Sequence, residues 1–352
     1  MNDLRVLFLS DWFSNPYKTL LIKNLNDKNI YVEEHRVNHF FLVKALQIRN
    51  LDVIHFHVVP VPLVWRNYIA QTIKFILFAA QIFILRCLGV KIVWTIHEWD
   101  NKLSSKKVNY NSFYGKIFSR CFDALITHCE ASKESLVDKL GNESIDKSFV
   151  IYHGNFIDWY KNEIALSDAR KALDISSESV VFLLFGSIYR YKGILEAIEA
   201  FQKLQNPDAV LLIVGKSNCS ELEAEIEEKI QGSEKIKFIS ERVSDDDVQV
   251  YMNASDCVLV PYKVFTTSGV AILAMSFGRA CVAPKMGFFD DVLDDSGAFF
   301  YNPDNEGGLC QTMKTVLDSK NRLPHMGAHN LELAKQWSWG YVAEKTLKVY
   351  QS

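Results

Sequence analysis

Two series of short, β-rich runs extend along the chain, and a longer stretch of helical character separates each run from the next. The first series covers residues 5–10, 52–56, 91–96, 124–128 and 149–152, and the second covers residues 180–185, 209–214, 235–239, 257–260, 280–283 and 298–301. Strands that alternate with helices form βαβ units, in which the strands are parallel and helices cover both faces of the sheet. The pattern therefore predicts an α/β fold with two Rossmann-like, doubly wound parallel sheets.

A polar segment at residues 155–167 separates the two series and is the predicted linker. The chain of 352 residues is long enough for two domains of about 150 residues each. We place the first domain at residues 1–162 and the second at residues 168–336. Two such domains facing each other would form a cleft between the carboxyl ends of their strands, where ligands bind doubly wound sheets. The loops that directly follow strands are therefore where function is expected.

The composition excludes several classes of protein. Hydrophobic residues make up 49% and charged residues 23%, a globular balance that excludes a disordered chain. The net charge of -3 gives no basic footprint for nucleic acid. The seven cysteines are scattered without a C-x-x-C pair, as expected of buried thiols in a reducing compartment. The first residues do not have the pattern of a secretory signal, so we expect a cytoplasmic protein.

The first candidate site is the basic loop at residues 185–193, after the first run of the second series. Gly186 lets the backbone approach a ligand at the end of the strand, and Ser187 follows it. Arg190 and Lys192 come directly before a predicted helix, so two cations join a helix N-terminus. This combination suits a diphosphate, above all one that gains charge as it leaves. A solvated basic turn is an equally good interpretation of the loop alone.

The second candidate site is the segment at residues 262–269, which precedes an apolar helical run. Thr267 or Ser268 fits the N-cap of that helix, which leaves the N–H groups of Gly269 and its neighbours able to bind phosphate. A simple helix cap without a ligand explains the same residues, and without further context it is the better interpretation.

Histidines directly follow two strands of the first series, His97 in T-I-H-E and His153 in Y-H-G-N. A lone histidine beside an apolar run is more often structural, but two at equivalent strand ends favour a functional role, more for His97 than for His153. His55 and His57 alternate along one strand and are predicted to be packing residues. The number of histidines would allow a metal site, but no H-x-x-H or C-x-x-C spacing supports one.

Taken together and in this order, these motifs resemble those of the GT-B glycosyltransferases, most closely the family-4-like group. The resemblance extends over essentially the whole chain, and the nearest patterns are the N-P-Y opening and the T-S-G-x4-A-x-S-F-G-R helix of a bacterial subgroup. The matching segments are residues 15–17, 92–97, 153–156, 186–193, 253–256 and 267–279.

The resemblance implies a retaining transfer of sugar from a nucleotide diphosphate sugar, without a metal or other cofactor. The charge on the departing β-phosphate would be stabilised by Arg190, Lys192 and the Gly269 amide, and His97 would contact the donor. By the same resemblance, donor binding would also involve Gly186, Ser187, Val243, Thr267 and Ser268, and the acceptor side would include Asn15, Tyr17 and His153. The final helix, residues 337–352, would pack back on the first domain. The acceptor would be a glycan or a lipid-linked glycan of cell-surface polysaccharide biosynthesis.

The sequence departs from the family pattern at three positions. The family carries two glutamates, eight positions apart, that contact the donor sugar and the ribose. Aligned through Gly278, these positions are Phe265 and Leu273. The arginine that usually follows the loop glycine is Ser187, and we assign its role to Arg190. These departures concern sugar recognition and catalytic strength and do not affect the fold that the resemblance implies.

Three other functions are alternatives. A catalytically weak, GT-B-shaped accessory subunit that binds nucleotide sugars would explain the missing glutamates, although Arg190 and Lys192 favour an enzyme. A sugar-nucleotide epimerase would need an acidic pair that the loops of the second domain lack. An NAD-dependent dehydrogenase is disfavoured because no G-x-G-x-x-G follows the first strand.

One long apolar stretch, residues 69–88, is interrupted by Gln71, Lys74, Gln81 and Arg86 and does not fit a membrane-spanning helix. Read as a helix, it has a narrow polar stripe of Gln71, Lys74 and Gln81, and more apolar surface than one sheet face can cover. Burial by neighbouring helices is one interpretation. Peripheral contact with the inner face of a membrane, next to a lipid-linked acceptor, is the other.

Overall fold

The computed structural model describes residues 4–11, 15–57, 68–97 and 117–352, apart from the side chains of residues 68, 69 and 71. The chain forms two compact units. The first contains the chain up to His153 together with Trp339–Ser352, and the second is Gly154–Ser338. In chain order, the helices within the described residues are α1 (Pro16–Asn26), α2 (Phe41–Gln47), α3 (Tyr68–Cys87), α4 (Glu130–Glu134), α5 (Leu136–Leu140), α6 (Leu166–Ala172), α7 (Ile194–Gln202), α8 (Ser220–Ile230), α9 (Val248–Ala254), α10 (Gly269–Ser276), α11 (Phe288–Val292), α12 (Gly308–Asp318), α13 (Leu323–Gln336) and α14 (Trp339–Gln351).

The first unit is built on a six-stranded parallel sheet with the order β2-β1-β3-β4-β5-β6. Its strands are β1 (Arg5–Ser10), β2 (Tyr31–Arg36), β3 (Val53–Phe56), β4 (Lys91–Thr95), β5 (Ala124–Thr127) and β6 (Ser148–Val150). The strand order reverses between β1 and β3. In doubly wound sheets the ligand site lies beyond the carboxyl ends of the two strands at such a reversal.

The second unit has a six-stranded parallel sheet with the order β12-β11-β10-β7-β8-β9. Its strands are β7 (Val180–Phe185), β8 (Ala209–Val214), β9 (Ile236–Ile239), β10 (Cys257–Leu259), β11 (Ala280–Pro284) and β12 (Ala298–Tyr301). The order reverses between β7 and β10. The two predicted phosphate loops, at residues 185–193 and 262–269, are the segments that follow these two strands.

The two parallel sheets confirm the predicted fold class, but one strand was not predicted. β2 reads YVEEHR and forms the edge of the first sheet, where it pairs only with β1. Most of its residues are partly or fully exposed, and an edge strand tolerates charged side chains. The prediction relied on buried apolar runs, so it did not detect a strand of this kind.

Two helices of the first unit lie at opposite ends of its sequence and pack together. α1 begins at Pro16, and the Asn15 side chain caps it by accepting a hydrogen bond from the Tyr17 N–H at 2.9 Å. α14 packs against α1, and its buried residues Val342 and Tyr350 belong to the same hydrophobic core as α1.

Buried polar groups in the second unit hold the elements around β7 and β10 in place. The Asp256 carboxylate accepts hydrogen bonds from Arg170 at 2.6 Å and from the Val181 N–H at 2.7 Å. Arg279 donates to the Asn253 side chain at 2.8 Å. Burial raises the pKa of Asp256, although the Val181 N–H and Arg170 oppose this, and burial lowers the pKa of Arg279. These residues of the matching motifs are therefore structural.

The turn at residues 154–156 joins three segments of the second unit. The Asn155 side chain donates to the Ala334 carbonyl at 2.8 Å, and its backbone N–H donates to the Trp337 carbonyl at 3.0 Å. The Phe156 N–H donates to Ser276 Oγ at 2.9 Å, at the C-terminal end of α10. This turn fixes the far end of the helix whose N-terminus faces the predicted phosphate site.

The α3 helix is partly core and partly exposed apolar surface. Phe78, Ile82 and Leu85 are buried, whereas Ile76 is 59% and Phe83 69% exposed. The exposed large apolar residues of α2, α3 and their ends are Phe40, Val43, Leu46, Ile73, Ile76, Leu77, Phe83, Ile84 and Leu88, which we call the α2–α3 apolar face. Neighbouring helices therefore do not bury the whole helix.

Gln81 was predicted to lie on the polar stripe of this helix, but it is buried and holds α2 against α3. Its side-chain amide donates to the His39 carbonyl at 2.8 Å and accepts from the Leu42 N–H at 3.1 Å. In the described part of the chain, no helix combines the length and apolarity that crossing a bilayer requires.

Candidate functional site

Gly186 begins the loop after β7 with a left-handed backbone, at a φ of 88°. A Cβ atom added there would lie 3.4 Å from Val270 Cγ2 and 3.6 Å from Lys192 Nζ. Gly215 lies behind it, since a Cβ at that position would come within 2.0 Å of the Gly186 carbonyl oxygen. Glycine at position 186 thus keeps open a space between the Lys192 ammonium and the first turn of α10.

The two predicted phosphate loops are in contact. Gly193 ends the first loop at a φ of 71°, and a Cβ there would lie 2.1 Å from the Pro261 carbonyl oxygen. The Lys263 N–H donates to the Tyr191 carbonyl at 2.9 Å. Lys192 Nζ lies 5.5 Å from the centroid of the Tyr262 ring. The fold therefore brings together two motifs that lie about 75 residues apart along the chain.

The N-terminus of α10 bounds this space on the side opposite Lys192. Ser268 is the N-cap, and its Oγ accepts a hydrogen bond from the Ala271 N–H at 3.2 Å. A Cβ added at Gly269 would meet no atom within 4 Å, so the first turn of the helix opens to its surroundings. The buried Thr267 hydroxyl has no hydrogen-bond partner among the described residues. We call Gly186, Lys192, Thr267, Ser268 and Gly269 the cradle.

An anion is the ligand that this cradle suits. The unpaired N–H groups of a helix N-terminus carry partial positive charge, and Lys192 adds a full one. Tyr262 is buried below them, and burial raises the pKa of its phenol despite a hydrogen bond with Ser268, so it adds no negative charge near neutral pH. The geometry therefore favours the phosphate interpretation of both loops over a solvated turn and a simple cap.

Arg190 and Ser187 lie at the outer side of this loop. Arg190 is exposed, and its Nη2 lies 2.5 Å from Glu225 Oε2 on α8, an interaction that raises the pKa of the arginine. Ser187 is exposed. The role assigned to Arg190 stays a prediction, and in this structure its charge is neutralised by Glu225.

Val243, predicted to border the nucleobase, lies partly buried in the turn after β9. In the same turn, Glu241 accepts a hydrogen bond from the Tyr251 hydroxyl at 3.3 Å, and the Tyr251 ring lies 6.3 Å from that of Phe185 at the end of β7. The turn therefore belongs to the same edge of the sheet as the cradle.

The first unit holds a group of histidines at the corresponding edge of its sheet. One histidine lies at or shortly after the carboxyl end of each of four adjacent strands, β3 to β6. They are His57, His97, His128 and His153. The buried Tyr17 ring lies among them, with centroid distances of 4.8 Å to His97, 4.9 Å to His153, 5.4 Å to His128 and 5.7 Å to His57. The fold thus places Tyr17, His97 and His153, three of the predicted site residues, together.

Three of these histidines form a directed chain of hydrogen bonds. His128 Nδ1 lies 2.8 Å from the Ile151 carbonyl, which can only accept, so this nitrogen carries the proton. In a neutral ring the other nitrogen is then an acceptor, and it takes a hydrogen bond from His97 Nδ1 at 3.2 Å. By the same rule, His97 Nε2 accepts from His57 Nδ1 at 3.2 Å. Both ring nitrogens of His97 are therefore engaged.

Burial keeps these rings uncharged. It lowers the pKa of His128 to about 4 and those of His57 and His97 well below the ordinary value, and neighbouring histidines and Lys18 add to the shift at His57. His55, buried in β3 two residues before His57, bonds to the Tyr350 hydroxyl at 2.6 Å and to Thr95 Oγ1 at 2.7 Å. Burial lowers the pKa of His55 to about 3.

Sequence reasoning missed two members of this group. His57 was predicted to be a packing residue, and its ring does stack on Phe8 at 3.9 Å, but it also bonds to His97. His128 was not singled out, because it was predicted to be the last residue of the strand at 124–128, whereas in the structure it directly follows β5. Within the described ranges, no three His, Cys, Asp or Glu side chains are arranged to hold a metal ion.

Comparison with known proteins relates the second unit, which holds the cradle, to a known family. Residues 179–319 match the sequence model of the glycosyl transferases group 1 family. A GDP-mannose:glycolipid 4-beta-D-mannosyltransferase of Xanthomonas campestris pv. campestris is 24% identical over 203 residues, which cover 57% of this chain and 54% of that protein. A lipopolysaccharide 1,2-N-acetylglucosaminetransferase of Salmonella typhimurium is 28% identical over 189 residues, covering 50% and 49%. The chain thus spans about half the length of the curated relatives it matches.

Solved structures match over the whole chain. Anabaena HepE, in complex with UDP and glucose, has a TM-score of 0.74 with 17% identity and 99% coverage of both chains. Sucrose-phosphate synthase from Thermosynechococcus elongatus has a TM-score of 0.76 with 15% identity, covering 99% of this chain and 98% of that one. At these identities the likeness establishes the fold. The protein therefore has the GT-B fold of two Rossmann-like domains, and its second unit carries a glycosyltransferase group 1 domain.

Proposed function

We propose that this protein is a glycosyltransferase that moves a sugar from a nucleotide diphosphate sugar to a glycan or lipid-linked acceptor. The observation that carries the proposal is the cradle at the strand reversal of the second sheet. There, Lys192 and the open N-terminus of α10 flank a space that Gly186 keeps free. The group 1 domain match covers these same residues.

The cradle suits the chemistry of the leaving group. When the bond between sugar and diphosphate breaks, negative charge develops on the β-phosphate. Lys192 and the backbone N–H groups at the start of α10 are already in place to stabilise that charge. We propose that these groups act without a metal ion. In keeping with the family resemblance, we also propose retention at the sugar carbon and transfer of a hexose.

We assign acceptor binding to the first unit, at the histidine group around Tyr17. The predicted acceptor residues Asn15, Tyr17 and His153 lie at the carboxyl edge of its sheet. The two relatives named above act, by their names, on a glycolipid and on lipopolysaccharide. An acceptor of this kind would place the protein in cell-surface polysaccharide biosynthesis.

A lipid-linked acceptor also gives a role to the α2–α3 apolar face. We propose that this face holds the cytoplasmic protein peripherally on the inner face of the membrane, because a surface that exposes several large apolar side chains suits docking on a lipid surface. The test is co-sedimentation with anionic liposomes of the double variant Ile76→Ser/Phe83→Ser. Exposed apolar residues elsewhere give the matched control, Ile145→Ser/Leu166→Ser. Equal partitioning of both double variants and the wild type would contradict membrane docking.

A GT-B-shaped accessory subunit is the second candidate. Two observations favour it, the pairing of Arg190 with Glu225 and the aromatic residue Phe265 at a position where the family has a carboxylate. Such a subunit would bind the nucleotide sugar and leave it intact.

Donor turnover distinguishes the two candidates and tests the proposal. Release of nucleoside diphosphate is measured with a panel of nucleotide sugars, with and without lipid-linked acceptor extract. The enzyme is expected to release it, and Lys192→Ala to lose about a hundredfold in turnover, as removal of a preorganised charge partner does. The matched control, Lys203→Ala, changes an exposed lysine after α7 and should keep wild-type turnover. Binding without any release would support the accessory subunit.

A further inference from the structure

Aromatic side chains cover the ends of β10 and β11 beside the cradle. The Phe265 ring packs on Phe289, with centroids 4.4 Å apart, and on Tyr262 at 6.2 Å. Gly287, in the loop after β11, faces the same ring, since a Cβ there would lie 3.4 Å from Phe265 Cε2. We call Tyr262, Phe265 and Phe289 the aromatic shelf.

The shelf has an accessible apolar side. Tyr262 and Phe289 are buried and form its base, whereas Phe265 is only half-buried. Its sequence neighbour Val264 is 50% exposed, and Met286, next to Gly287, is 38% exposed. A ligand group at this position would therefore meet aromatic and aliphatic surface.

The two lysines of these loops have other partners. Lys263 forms an ion pair with Glu196, and Lys285 Nζ lies 5.7 Å from the centroid of the Phe300 ring. The loop at residues 261–268 contains no carboxylate, and the nearest along the next loop are Asp290 and Asp291 in the first turn of α11. A sugar hydroxyl placed over the shelf would lose its water without gaining a carboxylate partner from the first loop, which is unfavourable.

The shelf and the cradle share Tyr262. Its ring contacts Phe265 on one side and lies 5.5 Å from Lys192 Nζ on the other. Phe265 also precedes the N-cap Ser268 by three residues. In a nucleotide sugar the diphosphate carries the nucleoside at one end and the sugar at the other. The turn with Val243, predicted to border the nucleobase, follows β9, on the opposite side of β7 from the shelf. The sugar end of a diphosphate in the cradle therefore lies next to the shelf.

We propose that the shelf selects a donor sugar with a methyl group, and that Phe265 is a specificity-determining residue. The inference rests on the proposed function, because it needs a nucleotide sugar in the cradle. The methyl group could be C6 of a 6-deoxyhexose or the methyl of an acetamido sugar. Both present a small apolar group that the aromatic rings bind better than a hydroxyl.

Matched donors test this by calorimetry. The diphosphates UDP, GDP, ADP and dTDP are titrated first, and donors of the tightest-binding base are then compared. One pair is the hexose donor and its 6-deoxy analogue, and the other is the hexose donor and its 2-acetamido analogue. In one of the pairs the methyl-bearing donor should bind about tenfold tighter. This factor is at the lower end of the discrimination that an apolar site achieves for one methyl-sized group. The pair that shows the preference identifies the source of the methyl group.

Variants assign the preference to Phe265. Phe265→Gln should bring the ratio of dissociation constants close to one while leaving diphosphate affinity unchanged, and Phe265→Leu should keep most of the preference. Tyr31→Gln, at an exposed aromatic of the first unit, is the control and should keep the wild-type ratio. Because each ratio is measured within one variant, a change in stability does not alter it. A ratio near one in the wild type, or one that Phe265→Gln leaves unchanged, overturns the inference while diphosphate binding persists. Absence of any diphosphate binding contradicts the proposed function itself.

Discussion

Mild acid should destabilise the first unit much more than the second, because of the buried histidines. The folded protein keeps His55, His57, His97 and His128 neutral, with pKa values of about 3 for His55 and about 4 for His128. In the unfolded chain the same groups bind a proton below pH ~6.5. A histidine whose pKa is lowered on folding therefore contributes to the free energy of unfolding at a pH above its pKa in the unfolded chain. This contribution is lost as the pH falls toward its pKa in the folded protein.

The magnitude follows from proton linkage. Each histidine that stays neutral in the folded state but is protonated in the unfolded chain lowers the free energy of unfolding at pH 5 by about 2 kcal/mol relative to neutral pH. His55 and His128 together account for about 4 kcal/mol, and His57 and His97, whose pKa values are also lowered, act in the same direction. This is comparable to the whole stability of an ordinary domain, which is ~5–15 kcal/mol.

Hydrogen exchange read by mass spectrometry reports each unit separately. Exchange rates at pH 7.5 and pH 5.0, corrected for the intrinsic pH dependence of exchange, give the free energy of opening of β3 and β4 in the first unit. β7 and β8 in the second unit, which has none of the four histidines, are the internal control. His128→Asn keeps an N–H donor for the Ile151 carbonyl and cannot titrate, so it should reduce the pH-dependent loss by about 2 kcal/mol. Equal losses in both units, or a first unit that does not respond to pH, would refute the reasoning.

Three further predictions concern the second unit. Gly269→Val places a side chain in the open space at the start of α10, so it should weaken nucleoside diphosphate binding at least tenfold without changing the melting temperature. Titration calorimetry measures the affinity, and a thermal scan measures the melting temperature. Arg190→Ala should lower turnover about a hundredfold if Arg190 leaves Glu225 to contact the diphosphate, and Ser187→Ala should have little effect. Equal kinetic losses in these two variants would contradict the role assigned to Arg190. Asp256→Ala leaves the buried Arg170 without its partner and should cost about 3 kcal/mol in urea unfolding, whereas Glu143→Ala, in an exposed pair with Arg120, should be neutral.

The sequence predicted the parts of this molecule that depend on local pattern. The fold class followed from apolar runs, and all strands but β2 lie where predicted, within two residues at each end. β2 was missed because an edge strand needs no continuous apolar run. The helix at α10 was predicted with Thr267 or Ser268 as its cap, and the structure has Ser268; this much was predictable because capping is a local interaction.

Features that depend on contacts between distant segments were not predictable. The ion pair of Arg190 with Glu225 and the burial of Gln81 against α2 both need a partner more than 30 residues away. The His57–His97–His128 chain joins three strand ends, and a single histidine in sequence gives no sign of such a chain. The contact between the two predicted phosphate loops could be expected only from the strand order, which places β7 beside β10.

The central claim is that Lys192 and the first turn of α10 bind a diphosphate without a metal ion. Its most direct test is calorimetric titration of the best nucleoside diphosphate into the wild type, Lys192→Gln and the control Lys203→Gln, each in an excess of chelator. We predict that the wild type and the control bind equally well in chelator and that Lys192→Gln binds about a hundredfold more weakly, a loss typical of a preorganised charge partner. Unchanged affinity in Lys192→Gln, or loss of wild-type binding in chelator that magnesium or manganese restores, would contradict the claim.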